Sequence, residues 1–383
     1  MKHFKRTGVA ALMAGAGLIG LGVAHAADGP QYKISGFGTL AGTVTDKSDL
    51  EFRTSLGQSK GVNSMLDLGA DSRFGLQGVV DFGQGLTVTA QVLSQRQRTD
   101  NTATSNRDFD LGIEWLNAQY AITPQLDVRM GRVVLPSFMF SESRNVGYSQ
   151  PWLRVPLDVY IQMPMRTLDG VQAAWRIPVG GSVITIQPSF GKANFNVTAT
   201  LGGVPVVVQS DNNRTDALNV TFESGDWQLR AGQVRGKTKD LTLDVAPGFM
   251  PAIVYDMKDT FTSAGVQYDN GTALVIAEYA TRRQNDLPGF GQPAADTDHW
   301  YVAGGWRFGK WLPMAIYGKS KDNLAKTSTN SPALSVRYDL MTNVAVKAQW
   351  NRVAARDERA FVSNSSTDTR KVNVFAAGID FVF

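Results

Sequence analysis

The chain has 383 residues, a formal net charge of +4 at pH 7 and no cysteine. Three basic residues lie within its first six positions, and without them 35 Lys and Arg face 34 Asp and Glu. This near balance argues against a basic surface for nucleic acid, and the missing cysteine excludes a fold that depends on disulfides.

The N-terminus has the pattern of a secretory signal peptide. Lys2, Lys5 and Arg6 form a positive start, residues 8–23 are apolar and mostly small, and Ala24-His25-Ala26 is a small-x-small cleavage site. The apolar run is shorter than the ~20 residues that a spanning helix needs. We therefore expect residues 1–26 to be removed on export, which leaves residues 27–383 as one domain.

The rest of the chain contains no apolar run long enough for a membrane-spanning helix. A membrane protein without such a helix must be a closed β-barrel, in which neighbouring strands satisfy every backbone group. From Tyr32 onward, segments of about ten residues alternate in polarity, which is typical of transmembrane strands. The alternation is clearest over residues 218–223, 334–340 and 344–351.

Short and long connections alternate along the chain. Short ones recur at residues 83–85, 123–125, 178–181, 225–226, 269–271, 309–310 and 341–343. Long polar ones fall near residues 46–65, 98–109, 136–168, 195–214, 238–259, 283–298, 320–332 and 355–370. Seven short and eight long connections predict 16 antiparallel strands. Short turns at one end and long loops at the other are typical of a transmembrane barrel, and a barrel of this size encloses water.

Aromatic residues mark the strand ends. The last strand alternates and closes on an aromatic residue, with Phe375, Ala377, Ile379, Phe381 and Phe383 on one face. This ending resembles the assembly signal of Gram-negative outer-membrane proteins. Tryptophans near predicted strand ends are expected to form girdles at the membrane interfaces. They are Trp115, Trp227, Trp300, Trp306, Trp311 and Trp350.

Two positions do not fit the alternation. Pro188 falls inside the predicted strand 182–194, where it cannot donate to the ladder, so we expect a bulge there. Around Ile113-Glu114-Trp115 either parity leaves one unfavourable residue facing lipid, and the assignment of faces stays open.

The segment 136–168 is too long for an ordinary connection, and loops of this length are usually functional. It is too apolar for a solvated tether and too charged for a membrane helix, so we expect it to be tucked inside a hollow barrel. A lipid-facing arginine costs ~2–4 kcal/mol near the bilayer midplane, so charges within strands should point inward. By parity these are Arg73, Glu223, Arg230, Glu278, Arg307, Arg337, Asp339, Lys347 and Asp380.

Together these features resemble the general diffusion porins of Gram-negative bacteria. The resemblance covers the mature chain, and its most specific pieces are residues 71–78 (DSRFGLQG), Gly131-Arg132 and the long loop between strands five and six. It implies an all-β, 16-stranded antiparallel transmembrane β-barrel with a long third loop folded into the lumen. It also implies an outer-membrane location, passive diffusion of small hydrophilic solutes and ions, contact with outer-membrane lipid, and a homotrimer. No cofactor, metal or nucleic acid is expected.

In this family, wall arginines face acidic groups of the inserted loop across the narrowest point. Residue by residue, Arg73 matches the wall arginine of the second strand, Arg132 that of the fifth, and Arg166 loosely one at the start of the sixth. The family's acidic Pro-Glu-Phe-Gly-Gly-Asp-like loop motif is missing. In its place, the expected constriction contains the loop residues Glu142, Arg144, Tyr148, Trp152 and Asp158.

A substrate-selective channel for sugars or small carboxylates is the main alternative. Tyr148, Trp152 and Tyr160 leave open an aromatic slide, which would favour sugars. A passive adhesive barrel is a weaker alternative, because it would not need an inserted apolar segment.

An outer-membrane enzyme is less favoured still. Its general base would have to be His299, the one histidine outside the expected signal, which we interpret as a loop-end residue that meets water. Asp46, Asp49 and Glu51 could hold a calcium ion, but we expect them to be solvated loop acids.

Overall fold

The structure is a computed structural model that describes residues 29–58, 60–97, 107–201, 204–210, 213–244, 253–285, 295–357, 359–362 and 367–383. The expected signal peptide, residues 1–26, lies outside the described residues. No helix in these ranges combines the length and apolar character needed to cross a membrane.

Eighteen strands follow one another along the described chain. They are β1 (Gln31–Thr45), β2 (Arg73–Asp81), β3 (Leu86–Gln97), β4 (Arg107–Ala121), β5 (Leu126–Val134), β6 (Thr167–Val179), β7 (Ser182–Lys192), β8 (Phe195–Leu201), β9 (Val204–Ser210), β10 (Asn213–Ser224), β11 (Trp227–Asp244), β12 (Ile253–Asp269), β13 (Ala273–Gln284), β14 (Asp296–Trp306), β15 (Trp311–Asp322), β16 (Thr327–Met341), β17 (Val344–Ala354) and β18 (Lys371–Val382). Between β5 and β6 lie a 3₁₀ turn (Gly147–Ser149) and the one-turn helix α1 (Leu157–Tyr160).

Sixteen of these strands form a closed antiparallel barrel, as the sequence predicts. β1 pairs with β2 through residues 31–39 and with β18 through residues 37–45, which closes the ring. The last residue takes part, since Phe383 and Gly36 exchange two backbone hydrogen bonds of 2.9 Å. β7 pairs directly with β10, so β8 and β9 are not members of the 16-strand ring. They pair with each other as a hairpin, and β9 also pairs with residues 242–244 of β11.

Each barrel strand has two different faces because successive side chains point to opposite sides. Along β17, Val346 and Ala348 are exposed, whereas Lys347 and Gln349 are buried. We call the set with exposed large hydrophobic side chains the apolar face and the opposite set the buried face. The predicted splits over residues 218–223, 334–340, 344–351 and 374–383 follow these two faces.

The predicted connections are confirmed in position, but three of the long ones contain paired strands. Residues 195–214 include the hairpin of β8 and β9, and within 238–259 β11 and β12 still pair as far as Leu243 and Ile253. All seven short connections join consecutive barrel strands. The long connection expected at 320–332 is wrong, because β15 and β16 continue to pair there and leave only residues 323–326 between them. The residues in this part of the hairpin are polar, but strand pairing depends on backbone hydrogen bonds, so the ladder continues while the two strands keep their register.

The expected bulge at Pro188 is also wrong. Pro188 opposes Leu218 in an unshifted register with β10, and the register with β6 is the same on both sides of the proline. The ladder with β6 instead lacks pairs for Ala173, opposite Pro188, and for Ala174, opposite Gln187. Proline removes one N–H donor, and here the sheet interrupts the ladder without inserting a residue.

A bulge occurs at Glu114 instead and resolves the ambiguous faces of β4. Gln91 opposes Trp115, whereas the next residue, Val92, opposes Ile113, so Glu114 is the extra residue. Ile113 and Leu116 therefore share the apolar face, at 52% and 49% exposed. Trp115 lies opposite Gln91 on the buried face, so its expected place in the girdle is wrong. Trp227, Trp306 and Trp311 are half exposed beside short turns, where a girdle belongs.

Candidate functional site

The segment 136–168 forms an apolar core with the buried face of β10–β16. Phe138 stacks on Tyr160 with 4.5 Å between ring centroids. Trp152 is fully buried and meets the rings of Phe140 and Tyr301 edge-on, at 5.6 and 5.9 Å. The alternation of polarity in these strands is weakened accordingly, since the wall that meets the segment is apolar on its buried face as well.

One buried carboxylate joins the segment to two neighbouring strands. Glu278 on β13 accepts hydrogen bonds from the hydroxyls of Tyr160 (2.5 Å) and Tyr301 (2.6 Å) and from the backbone N–H of Met139 (2.9 Å). Hydrogen bonds to a charged group are the stronger class, worth ~1.5–3 kcal/mol each. Three donors from two parts of the segment and β14 therefore fix the segment at this point.

Cationic side chains of the wall satisfy backbone carbonyls of the segment. An irregular segment makes few internal ladder bonds, and a buried carbonyl without a partner is costly. Arg230 donates to Pro136, Arg337 to Tyr148 and Gln150, and Lys347 lies within hydrogen-bond distance of Gly147, Gln150 and Trp152. These charges of the buried face hold the segment in place.

Two buried ion pairs complete the attachment. Arg154 Nε donates to Asp71 Oδ1 at 2.9 Å, and its Nη2 contacts the second carboxylate oxygen. Lys347 Nζ lies 2.8 Å from Asp380 Oδ2, and both side chains are almost inaccessible to solvent. Removing one member of such a pair leaves an uncompensated buried charge, which typically costs ~3–5 kcal/mol.

Three of the predicted site residues come together. Arg73, Arg144 and Arg166 lie close enough to repel one another. The acids near Arg73 are Asp380 and Asp71, and the bulged Glu114 is the acid near Arg144 and Arg166. Burial and the repulsion from Arg166 lower the pKa of Arg144 to about 9. Arg166 donates to Ser55 Oγ at 2.7 Å, and Arg73 Nε has no hydrogen-bond partner in the described part of the chain.

Arg132 does not join this group, and its expected place in the constriction is wrong. It lies two residues after Met130 on the same strand and therefore on the same apolar face, where Met130 is 64% exposed. The Arg132 guanidinium forms a bidentate pair with the Asp169 carboxylate at 2.7 and 2.8 Å. Both members are partly exposed, at 39% and 55% of their side chains. They border a groove that Leu116 and Val171 help to line.

The remaining predicted residues are spread along the segment. Glu142 is exposed, 3.9 Å from Arg129 on β5. Tyr148 donates its hydroxyl to the carbonyl of Thr342, in the short turn between β16 and β17, and its ring centre lies 4.9 Å from the Arg337 guanidinium carbon. Trp152 is buried in the core described above.

Asp158 lies in α1, away from the three arginines. Its carboxylate accepts hydrogen bonds from Ser331 and, at 3.4 Å, from Ser320. Burial, together with the negative charge of Asp357, raises its pKa to about 7. This carboxyl therefore titrates near neutral pH.

Sequence reasoning missed Arg154, Asp71 and Glu114 as site residues. Asp71 stood inside the motif that carried the resemblance, but its partner is 83 residues away and no local pattern points to it. Glu114 accepts from Asn145 of the segment at 2.9 Å only because the bulge turns it to the buried face.

His299 has a different environment from the one expected, whereas Asp46 and Asp49 of the first loop are exposed, as expected. The interpretation of His299 as a loop-end residue is wrong, since it is fully buried on β14 with Nδ1 3.1 Å from Ser320 Oγ. Asp49 pairs with Arg370 at 2.7 Å, and Asp46 accepts from Asn373. Within the described ranges, no three metal-ligating side chains of His, Asp or Glu gather to hold an ion.

A closed 16-stranded barrel with an exposed apolar face and short turns at one end defines an outer-membrane channel protein. A family model described as Gram-negative porin matches residues 8–358, and the chain belongs to that family. It is an outer-membrane channel for passive diffusion.

Solved structures with the same fold include the anion-selective porin from Comamonas acidovorans, with 13% identity and a TM-score of 0.57 over 92% of this chain and 100% of that one. The outer membrane channel DcaP of Acinetobacter baumannii is similar with 10% identity and a TM-score of 0.58, over 94% and 99%. In-vitro folded OmpT of Vibrio cholerae, in its trimer form, has 14% identity and a TM-score of 0.55, over 93% and 100%. A search of curated protein sequences gave no significant match.

Proposed function

We propose that the segment 136–168 lies in the lumen and narrows it, and that the remaining passage admits small hydrophilic solutes with a preference for anions. The placement of the segment is supported by its partners, which lie on the buried faces of strands from β11 round to β17. Tyr148 donates its hydroxyl to Thr342, in the turn between β16 and β17, so the segment also contacts the short-turn end of the barrel. A segment outside the ring could not reach these faces.

The passage itself runs between the segment and β2–β5, beside the points where Asn145 bonds to Glu114 of β4 and Glu142 approaches Arg129 of β5. The buried faces of these strands carry polar side chains that are not packed into the apolar core, among them Gln77, Asn117, Gln119 and Arg129. The apolar core and the tethering cations occupy the other side of the ring. A polar half-wall facing a fixed segment supports a water-filled path that a small solute can follow.

The preference for anions rests on one observation. Arg73, Arg144 and Arg166 approach one another and form no ion pair within the described part of the chain. Of the acids near them, Asp71 and Asp380 already pair with Arg154 and Lys347. This leaves Glu114 as the one counter-charge of this group in the described chain. Positive charge confined between low-dielectric walls attracts anions and repels cations. One protein of the same fold is named an anion-selective porin, and small carboxylates are therefore the solutes we favour.

A sugar-selective slide has less support. Trp152 and Tyr160 are packed in the core at 0% and 1% exposed, so their faces are not free to stack on a passing sugar. We also infer that the chain is not an enzyme. His299 has no access to solvent, and a general base must reach the proton that it abstracts.

The test is the reversal potential of single channels in a planar bilayer under a KCl gradient. Wild type should show the sign of anion preference, and the triple variant Arg73→Gln, Arg144→Gln, Arg166→Gln should move it toward cation preference. The matched control is Arg132→Gln with Asp169→Asn, on the apolar face, which should leave it unchanged. An unchanged reversal potential in the triple variant contradicts the proposed constriction.

We further propose that residues 1–26 are a cleaved signal, that the mature domain begins at residue 27, and that the barrel contacts outer-membrane lipid as a homotrimer. The trimer is supported by the half-exposed Arg132–Asp169 pair, because a neighbouring subunit would shield charges that lipid would not. A related structure is described in a trimer form. Met130→Gln should raise the monomer fraction in detergent, measured by light scattering. Phe190→Gln, on β7, is the control and should not raise it. Equal monomer fractions in the two variants would contradict a subunit interface at the face that carries Met130.

A further inference from the structure

The bulge in β4 turns two neighbouring side chains to the buried face. Ile113 and Leu116 are exposed on the apolar face, and the extra residue between them leaves both Glu114 and Trp115 on the other side. Bulges are common next to functional sites, where they re-aim a side chain. A carboxylate and an indole therefore stand side by side here, on Cα atoms ~3.8 Å apart.

Trp115 belongs to the polar half-wall of the proposed passage. In the register of the sheet, Gln77 on β2 opposes Gln91 on β3, and Gln91 opposes Trp115. The indole is partly exposed, and it stacks on no other ring in the described part of the chain. Trp152, by contrast, is fully buried among the rings of the apolar core. An aromatic face is thus available to a solute that follows the polar half-wall.

The charged groups beside Trp115 have an excess of positive charge. The Glu114 carboxylate lies near the guanidinium groups of Arg144 and Arg166. It also accepts a hydrogen bond of 2.9 Å from Asn145, which holds the segment against β4 at this point. Arg144 and Arg166 are partly exposed, and one acid faces the two of them. Such a group is suited to pair with a further carboxylate.

We propose that the passage binds aromatic carboxylates, whose carboxylate pairs with Arg144 and Arg166 while the ring stacks on Trp115. This solute class rests on the anion preference of the proposed passage. In benzoate the ring and the carboxylate are one bond apart, which fits an indole placed next to the acid that the two arginines share. Paired aromatic rings attract each other beyond the apolar area that they bury. A saturated ring of similar size gains only the burial of area.

The binding is tested by the block of single-channel current when a solute is added to a planar bilayer that contains the protein. The probes are benzoate, cyclohexanecarboxylate and benzamide. The first two carry the same charge at neutral pH, but only benzoate has an aromatic ring, and benzamide keeps the ring without the charge. The variants are Trp115→Leu and Trp115→Phe. The matched control is Trp175→Leu, on the apolar face of β6.

Wild type and Trp175→Leu should bind benzoate about threefold to tenfold more tightly than cyclohexanecarboxylate, and benzamide more weakly than benzoate. Trp115→Leu should lose the preference for the aromatic ring, and Trp115→Phe should keep part of it. Equal block by benzoate and cyclohexanecarboxylate in wild type overturns the proposal, and so does an unchanged preference in Trp115→Leu. Benzamide that blocks as well as benzoate overturns it too, because the arginines would then take no part.

The same recordings separate this site from the passage that contains it. Each current comes from a channel that has folded and inserted, so a loss of folded protein is not mistaken for a loss of binding. The reversal potential of wild type in a KCl gradient is read first. Anion preference without a preference for benzoate contradicts the aromatic site alone, whereas a lack of anion preference contradicts the proposed function itself.

Discussion

Lys347 is the residue whose removal most directly tests how the segment is held. Its ammonium group lies 2.6 Å from the carbonyl of Gly147, 2.7 Å from that of Gln150 and 2.8 Å from Asp380 Oδ2. Lys347→Met keeps the length of the side chain and removes every one of these contacts. The barrel wall on either side of the position remains intact, since the strand pairs through its backbone.

The expected cost follows from the burial of both partners. Breaking a buried ion pair by deleting one member costs ~3–5 kcal/mol, because the other charge stays behind without a partner. Adding Asp380→Asn to Lys347→Met removes that stranded charge and leaves only the carbonyls unsatisfied, at ~1–3 kcal/mol for such a group. The double variant is therefore expected to be more stable than the single variant, although it carries one more substitution.

The assay is unfolding by denaturant in detergent micelles, followed by single-channel recording. Both variants should show larger current fluctuations than wild type, because the segment loses its attachment at residues 147–152. Arg352→Met, on the apolar face of the same strand, is the control and should behave like wild type. A Lys347→Met protein with wild-type stability and a quiet channel would refute the tethering role.

Two further predictions concern single residues. The pKa of Asp158 is raised to about 7 from an unfolded value near 3.8, so its contribution to stability is present below about pH 4 and is lost as the pH rises through 7. Asp158→Asn should thus gain stability relative to wild type between pH 4 and pH 8, and a pH-independent difference would contradict this. Gly131 has φ +122°, and a Cβ there would lie 2.3 Å from the carbonyl oxygen of Leu116. Gly131→Ala should therefore destabilise the folded barrel by ~1–3 kcal/mol and lower the folded fraction in a heat-modifiability gel. Gly78→Ala, which has open space around its Cβ position, is the control and should keep the wild-type folded fraction. Equal folded fractions for the two variants would contradict this prediction.

The wall was predictable from sequence because its rules are local. A period of two assigns the faces of β16, β17 and β18, and it places Lys347 and Asp380 together on the buried face. The same rule places Arg132 with Met130 on the apolar face. The transfer of a family role to Arg132 disagreed with that local pattern, and the pattern was right.

The site was less predictable because its contacts are not local. The bulge at Glu114 depends on how β3 pairs with β4, which the sequence of β4 does not reveal by itself. The buried faces of β13 and β15 carry Ile276 and Ile316 where a water-facing wall would be polar. Both isoleucines pack against the segment. Which buried faces are apolar therefore depends on the path of the segment along the wall, and the strand sequences alone do not give that path.

The central claim is that water and ions pass beside the segment 136–168 inside the barrel. The chain has no cysteine, so Arg144→Cys offers one site for a negatively charged thiosulfonate reagent. The most direct measurement is the single-channel current of this variant before and after the reagent is added, with Arg352→Cys as the control. A lower current and a reversal potential shifted toward cations are expected at position 144 alone. Full labelling at position 144 with no change in current would place the segment outside the conducting path.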